Sequence, residues 1–107
     1  MQKSHIIRID QIKLVNEPGN PPHITVAAQG MASTPGWSQP VLMERPCQLA
    51  EAAGVRVFDF AAIPPGDIRP QVLAPVSAAI RIAGPFPEKL RILVVARTNS
   101  MEQSSSG

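Results

Sequence analysis

The sequence predicts an all-β domain, an immunoglobulin-like antiparallel β-sandwich of about seven short strands. Three observations carry that expectation. Apolar residues recur with a period of two in segment after segment, as in Ile24, Val26 and Ala28, or Phe58 and Phe60. Twelve prolines and seven glycines are scattered through 107 residues, so turns cut the chain into short elements. The single tryptophan, Trp37, opens the third strand counted along the chain, where such a sandwich buries one.

Ile7 and Ile9 alternate with Arg8 and Asp10, and Ile12 and Leu14 continue on the opposite parity. A bulge near Asp10–Gln11 restores the register, because one extra residue flips every later side chain to the other face. Glu17 to Pro22, EPGNPP, is a turn. His23 to Met31 is the next strand, with Ile24, Val26 and Ala28 on one face and Thr25, Ala27 and Gln29 on the other. Thr34-Pro35-Gly36-Trp37 fits a type II turn, in which proline presets the second position and glycine supplies positive φ at the third. The strand from Trp37 to Met43 contains Pro40, which cannot donate to a ladder and so belongs at a sheet edge or a bend. Pro46 to Ala53 is the one helical segment, opened by proline and stopped by Gly54.

Gly54 to Ala62 is the strongest strand, with Val55 and Val57 on one face and Phe58 and Phe60 on the other. Ile63 to Asp67 ends it in a turn. From Val72 to Ile82 every even position is apolar. A helical face of Val72, Val76, Ala79 and Ile80 can also be drawn, but an interior proline, Pro75, opposes a helix by about 3 kcal/mol. Within a strand, Pro75 marks a kink where the chain crosses from one sheet to another. Pro85-Phe86-Pro87 is a corner, and Leu90 to Arg97 is the last strand, its apolar run flanked by Arg91 and Arg97. The ending MEQSSSG has no apolar anchor, so residues 1–99 form the domain and residues 100–107 a mobile tail. An OB-like barrel is the alternative, because Pro46 to Ala53 falls where that fold holds its short helix; the number of strands favours the sandwich.

A chain of this length hides about two-thirds of its unfolded surface, enough for one core. With 44% hydrophobic and 17% charged residues it is globular material. The formal net charge is only +2 and like charges form no block, which makes no electrostatic case for nucleic acid or an anionic membrane. One cysteine, Cys47, excludes an intrachain disulfide and fits a reducing compartment. Lys3, Arg8, Asp10 and Lys13 interrupt every early apolar run, so no signal-peptide core follows Met1. No stretch reaches the roughly 18 apolar residues of a membrane helix. A cytoplasmic location is the default expectation.

Catalysis has little to draw on. His5 lies at a frayed start, His23 opens a strand after a proline turn, and neither belongs to a nucleophile-elbow or Cys–His pattern. Cys47, at a helix start, reads as a small half-buried residue before it reads as a reactive thiol. His5, His23 and Cys47 lack the close spacing of a zinc site, and the glycines are too isolated for a phosphate loop. No catalytic, cofactor-binding or metal-binding residue is therefore assigned. Asp59 sits between two phenylalanines, and if its face is buried it needs a partner, expected from Arg8, Arg81, Arg91 or Arg97 across the sheet. A general base with a raised pKa is its functional reading, a structural ion pair its simpler one. Phe58 and Phe60 with Arg56 match a stacking platform for single-stranded nucleic acid, but the same face is what a sandwich core needs.

Thr34-Pro35-Gly36-Trp37-Ser38, Phe58-Asp59-Phe60-Ala61 followed by Pro64-Pro65, and Thr98-Asn99-Ser100-Met101-Glu102 resemble a group of small bacterial all-β proteins without an assigned function. The resemblance runs from Ile24 onward and rests on turns and core strands. It implies a bacterial source and carries over no catalytic residue. The sequence thus reads as a non-enzymatic module, binding or structural, that works through contacts with another protein or with its own copies. Its candidate surface is the turn bearing Thr34, Pro35, Trp37 and Ser38, beside the proline-marked edge strand. An OB-like nucleic-acid binder using Phe58, Phe60 and arginines is the alternative, and a small enzyme built on Asp59 a third reading.

Overall fold

The computed structural model describes residues 3–46, 48–87 and 89–106. Among the described residues, eight strands and one short helix follow in the order β1 (Ser4–His5), β2 (Arg8–Glu17), β3 (His23–Ala32), β4 (Ser38–Arg45), α1 (Gln48–Ala52), β5 (Val55–Ile63), β6 (Ala74–Ala83), β7 (Lys89–Val95) and β8 (Ser100–Ser106). They form two sheets. In the larger, β4, β5, β7 and β8 lie side by side, and β1 continues the line of β7 along the far part of β5. The smaller has the order β2-β3-β6. The domain is an all-β sandwich, and the OB-like barrel is not its architecture.

Period-two patterning builds the core. In β3 the even residues Ile24, Val26, Ala28 and Ala32 are buried, and in β7 Leu90, Ile92 and Val94 are. Phe58 and Phe60 of β5 meet these from the larger sheet, and neither is exposed at all. That corrects the stacking-platform reading: a base cannot stack on a ring closed inside the sandwich.

The pairing is antiparallel except between β5 and β7, which run parallel. The wholly antiparallel sandwich expected from the sequence is thus corrected at one pairing. The cause is connectivity. Between β5 and β7 the chain crosses to the smaller sheet, makes β6, and returns, so β6 acts as the crossover that parallel neighbours require.

The chain also changes sheet near its start. Ile6 N–H donates to the Phe60 carbonyl in the larger sheet (3.1 Å), and Ile7 N–H donates to the Met31 carbonyl in the smaller (3.1 Å). One residue further along the chain, the strand belongs to the other layer. The predicted bulge is present: the β2–β3 register shifts between Ile9 and Gln11, leaving Asp10 as the extra residue. Ile9 and Ile12 both face the core as a result.

Pro40 lies on an edge, since β4 pairs only with β5, and the register there shifts between Ser38 and Val41. Gln39 takes up the irregularity with a φ of 51°. Pro75 does not kink the chain as expected. It sits within β6, opposite Met31, and is tolerated because β6 is itself an edge strand. The helix stops at Gly54, whose φ is +79°. Cys47 lies outside the described residues, and so do the sequence expectations for it.

The largest departure is the C-terminus. The expected mobile tail is strand β8, paired antiparallel with β7 from Val95–Ser100 to Lys89–Ser106. Backbone pairing to a buried neighbour supplies what the serine side chains do not, and Met101 adds an apolar contact with the core. Gly107 lies outside the described residues.

Candidate interaction surface

The TPGW turn forms as its residues dictate. Gly36 has a φ of +90°, the value a type II turn requires at that position and one a Cβ makes unfavourable. Thr34 is buried, and its hydroxyl accepts a hydrogen bond from Trp37 Nε1–H at 3.2 Å. Trp37 leans against the core cluster yet stays half-buried. It is neither a fully enclosed core aromatic nor a free side chain. Ser38, the last residue of the sequence-assigned surface, is exposed at the start of β4, and Pro35 is half-buried.

Facing this turn is the connection between β5 and β6, residues 64–73. Together they line a concavity of about 330 Å³ whose walls include Thr34, Trp37, Pro64, Pro65 and Ile68. Arg69 lies against the turn: its guanidinium packs so close to Gly36 that a Cβ there would lie 3.2 Å from Cζ. Arg69 Nε–H also donates to Asp67 at 2.8 Å, and that hydrogen bond holds the Asp67 carboxyl below its ordinary pKa. The loop presents apolar side chains to water. Ile68 is 100% exposed, Val72 59% and Leu73 46%. A strand drawn from Val72 hides the exposure of Val72 and Leu73, because β6 begins only at Ala74. A signal was available: Ile68 lies in a run of Pro, Gly, Asp and Arg with no periodic apolar partner.

No protein-family model, curated protein or solved structure matches this chain.

The second cluster of chemistry lies on the outer face of the larger sheet. Asp59 accepts hydrogen bonds from Arg45 Nε (3.1 Å) and Nη2, and its Oδ1 lies 2.8 Å from His5 Nε2. The expected partners Arg8, Arg81 and Arg91 instead pair with Asp10, Glu17 and Glu102. Arg45 reaches Asp59 because Met43 lies directly opposite it, which puts Arg45 on the diagonal of the same face. His5, expected to fray, is held in β1 opposite Ala61 and reaches Asp59 in the same diagonal way.

Burial of this carboxyl raises its pKa, but the hydrogen bonds and charges of Arg45 and His5 outweigh that and hold it below the ordinary value. The raised-pKa general base is therefore corrected: this arrangement makes Asp59 a weaker base. Its folded pKa lies below its unfolded one, so the stabilisation is complete above the unfolded pKa of about 3.9 and is lost as pH falls through the folded value. Asp59→Asn is expected to lower stability by about 1 kcal/mol at neutral pH, and the gap from the wild type should close in acid, as the pH falls through the folded value. Urea midpoints at both pH values check this; a gap unchanged by acid would mean that Asp59 is not held by charge.

At the other end of β5 a hollow of about 460 Å³ is lined by Glu44, Pro46, Gly54, Arg56 and Leu90 among others. Its two charged walls are bonded to each other, Arg56 Nε–H donating to Glu44 at 2.7 Å. Among the described residues no three His, Cys, Asp or Glu side chains gather as metal ligands would, and no helix is long and apolar enough to cross a membrane.

Proposed function

We propose that this chain is a non-enzymatic β-sandwich module that binds another protein through the end of the sandwich bearing Trp37 and the loop of residues 64–73. One observation carries the reading: Ile68 stands entirely in water beside a half-buried tryptophan, in a loop whose Arg69 packs against Gly36 of the TPGW turn. Burying such side chains on association gains free energy that the free protein forgoes, and a tryptophan at the centre of an apolar patch is the commonest kind of binding anchor. Pro64, Pro65 and Pro70 limit the loop's freedom, so little entropy is lost when it is covered. The resemblance to small bacterial proteins adds no activity to this reading.

Ile68→Asp is expected to change stability by no more than about 0.5 kcal/mol, because the side chain touches nothing in the free fold. It should weaken partner binding about tenfold or more. Photoreactive side chains placed in turn at position 68 and at Ser77, which is exposed on β6, test the reading in the native host. Adducts that concentrate at position 68, and that excess unmodified protein competes away, support it. Equal labelling from both positions, or none from position 68, overturns it.

A further inference from the structure

We propose that the outer edge of β8 pairs with the same edge of a second copy, joining two larger sheets into one continuous sheet across a twofold axis. The sheet edges formed by β2, β4, β6 and β8 differ in how they are protected. An unpaired edge is a template for another strand, and proteins block edges with proline, basic charge or bulges. β2 carries the bulge at Asp10 and the exposed Lys13; β4 carries Pro40 and the irregularity at Gln39; β6 carries Pro75 and Arg81. β8 carries no proline, no basic residue and no register shift along its seven residues. Its one charge, Glu102, is paired with Arg91 of the same chain at 3.3 Å.

The hydrogen-bond alternation shows which groups are offered. Ala96 N–H donates to the Asn99 carbonyl, and residues opposite each other in this ladder continue from that pair through Val94–Met101 and Ile92–Gln103. The backbone groups of Met101 and Gln103 therefore face β7, while those of Ser100, Glu102, Ser104 and Ser106 face away. Gln103 lies opposite the fully buried Ile92 and yet is exposed, so the smaller sheet does not cover β8 at that residue, although β2 approaches the start of β8, where Asn99 binds Ile9.

Charge selects the register. An axis through Glu102 would set two carboxylates against each other. An axis through Gln103 places Glu102 of one copy opposite Ser104 of the other, whose hydroxyl can donate to the carboxylate, and Ser100 opposite Ser106. That is also the register of full overlap. An isologous contact of this kind closes at two copies. It buries little apolar surface, so it is a weak contact set by concentration.

Self-association through β8 does not involve the loop of residues 64–73, and one experiment separates the two surfaces. Sedimentation equilibrium of the full chain, over roughly 10 µM to 1 mM, should show the mass rising from 11.4 kDa toward twice that value. Ser104→Pro removes an outward N–H without touching the β7 ladder; it should weaken self-association at least tenfold and leave the thermal midpoint in place. Ile68→Asp should leave self-association unchanged. In a Cys47→Ser chain, Gln103→Cys should form a disulfide-linked dimer on mild oxidation, since the axis sets the two cysteines directly opposite. This second variant decides the matter if the proline variant fails to fold. A mass that stays at the monomer value, association lost with Ile68→Asp and not with Ser104→Pro, or no cross-link from position 103 would each overturn the proposal.

Discussion

Replacing Gly30 by alanine is expected to destabilise the domain by about 3 kcal/mol or more, lowering the thermal midpoint by at least 10 °C or so. A Cβ on Gly30 would lie 2.2 Å from the carbonyl oxygen of Arg8 and 2.7 Å from Cδ1 of Ile6. The first of these is backbone, so no rotamer change relieves it. Gly30 sits opposite Ile9 on one side and Val76 on the other, in the middle strand of the smaller sheet. Just there the chain steps from the larger sheet to the smaller, and the bare glycine lets Ile6 enter the core while Arg8 passes overhead. Two-state unfolding followed by Trp37 emission measures the effect. A loss under about 1 kcal/mol would mean the crossing has room to spare, and the account of the sheet change would be wrong.

Gly30 also shows how far the sequence can be read. Its strand was legible because one face is buried: Ile24, Val26 and Ala28 alternate with polar residues, and burial enforces that period. The bulge at Asp10 was legible for the same reason, since the switch of parity between Ile9 and Ile12 has no other remedy in a strand. The change of sheet between Ile6 and Ile7 was not legible, because both residues are isoleucine and each is apolar enough for either layer. β8 escaped because its stability lies in backbone pairing, which leaves no trace in SMEQSSS. The Asp59 cluster was half legible. Its need for a cation followed from the apolar strand around it, but the identity of that cation depends on the β4 register, which the irregularity at Gln39–Pro40 resets. Of the surface, the Trp37 turn was legible from Pro35 and Gly36. The exposure of Ile68 was marked by its lack of a periodic partner, but that of Val72 and Leu73 was not, because it follows from where β6 begins, and composition does not mark that point.

Asn99→Ala is expected to cost about 2–3 kcal/mol, a large effect for a side chain that is itself mostly exposed. Asn99 receives the Ile9 N–H on Oδ1 and donates Nδ2–H to the Ile9 carbonyl, both at 2.8 Å. Its amide thus imitates a neighbouring strand at the point where the bulge interrupts β2, and it ties the β7–β8 turn to the edge of the other sheet. Thr98 extends the seam: its N–H and its hydroxyl both donate to the Ile7 carbonyl, at 3.0 and 2.6 Å. Alanine leaves a donor and an acceptor of Ile9 without partners beside a side chain that is 2% exposed. Because Thr98 and Asn99 hold one strand, Thr98→Val and Asn99→Ala should not add; once either has released β2, the other has less to lose. The Ile9 amide reports on the seam directly, and its hydrogen exchange should quicken in Asn99→Ala before the core amides of β3 respond. Stability within about 0.5 kcal/mol of wild type, with the Ile9 amide still protected, would mean that the two sheets are joined by their cores alone.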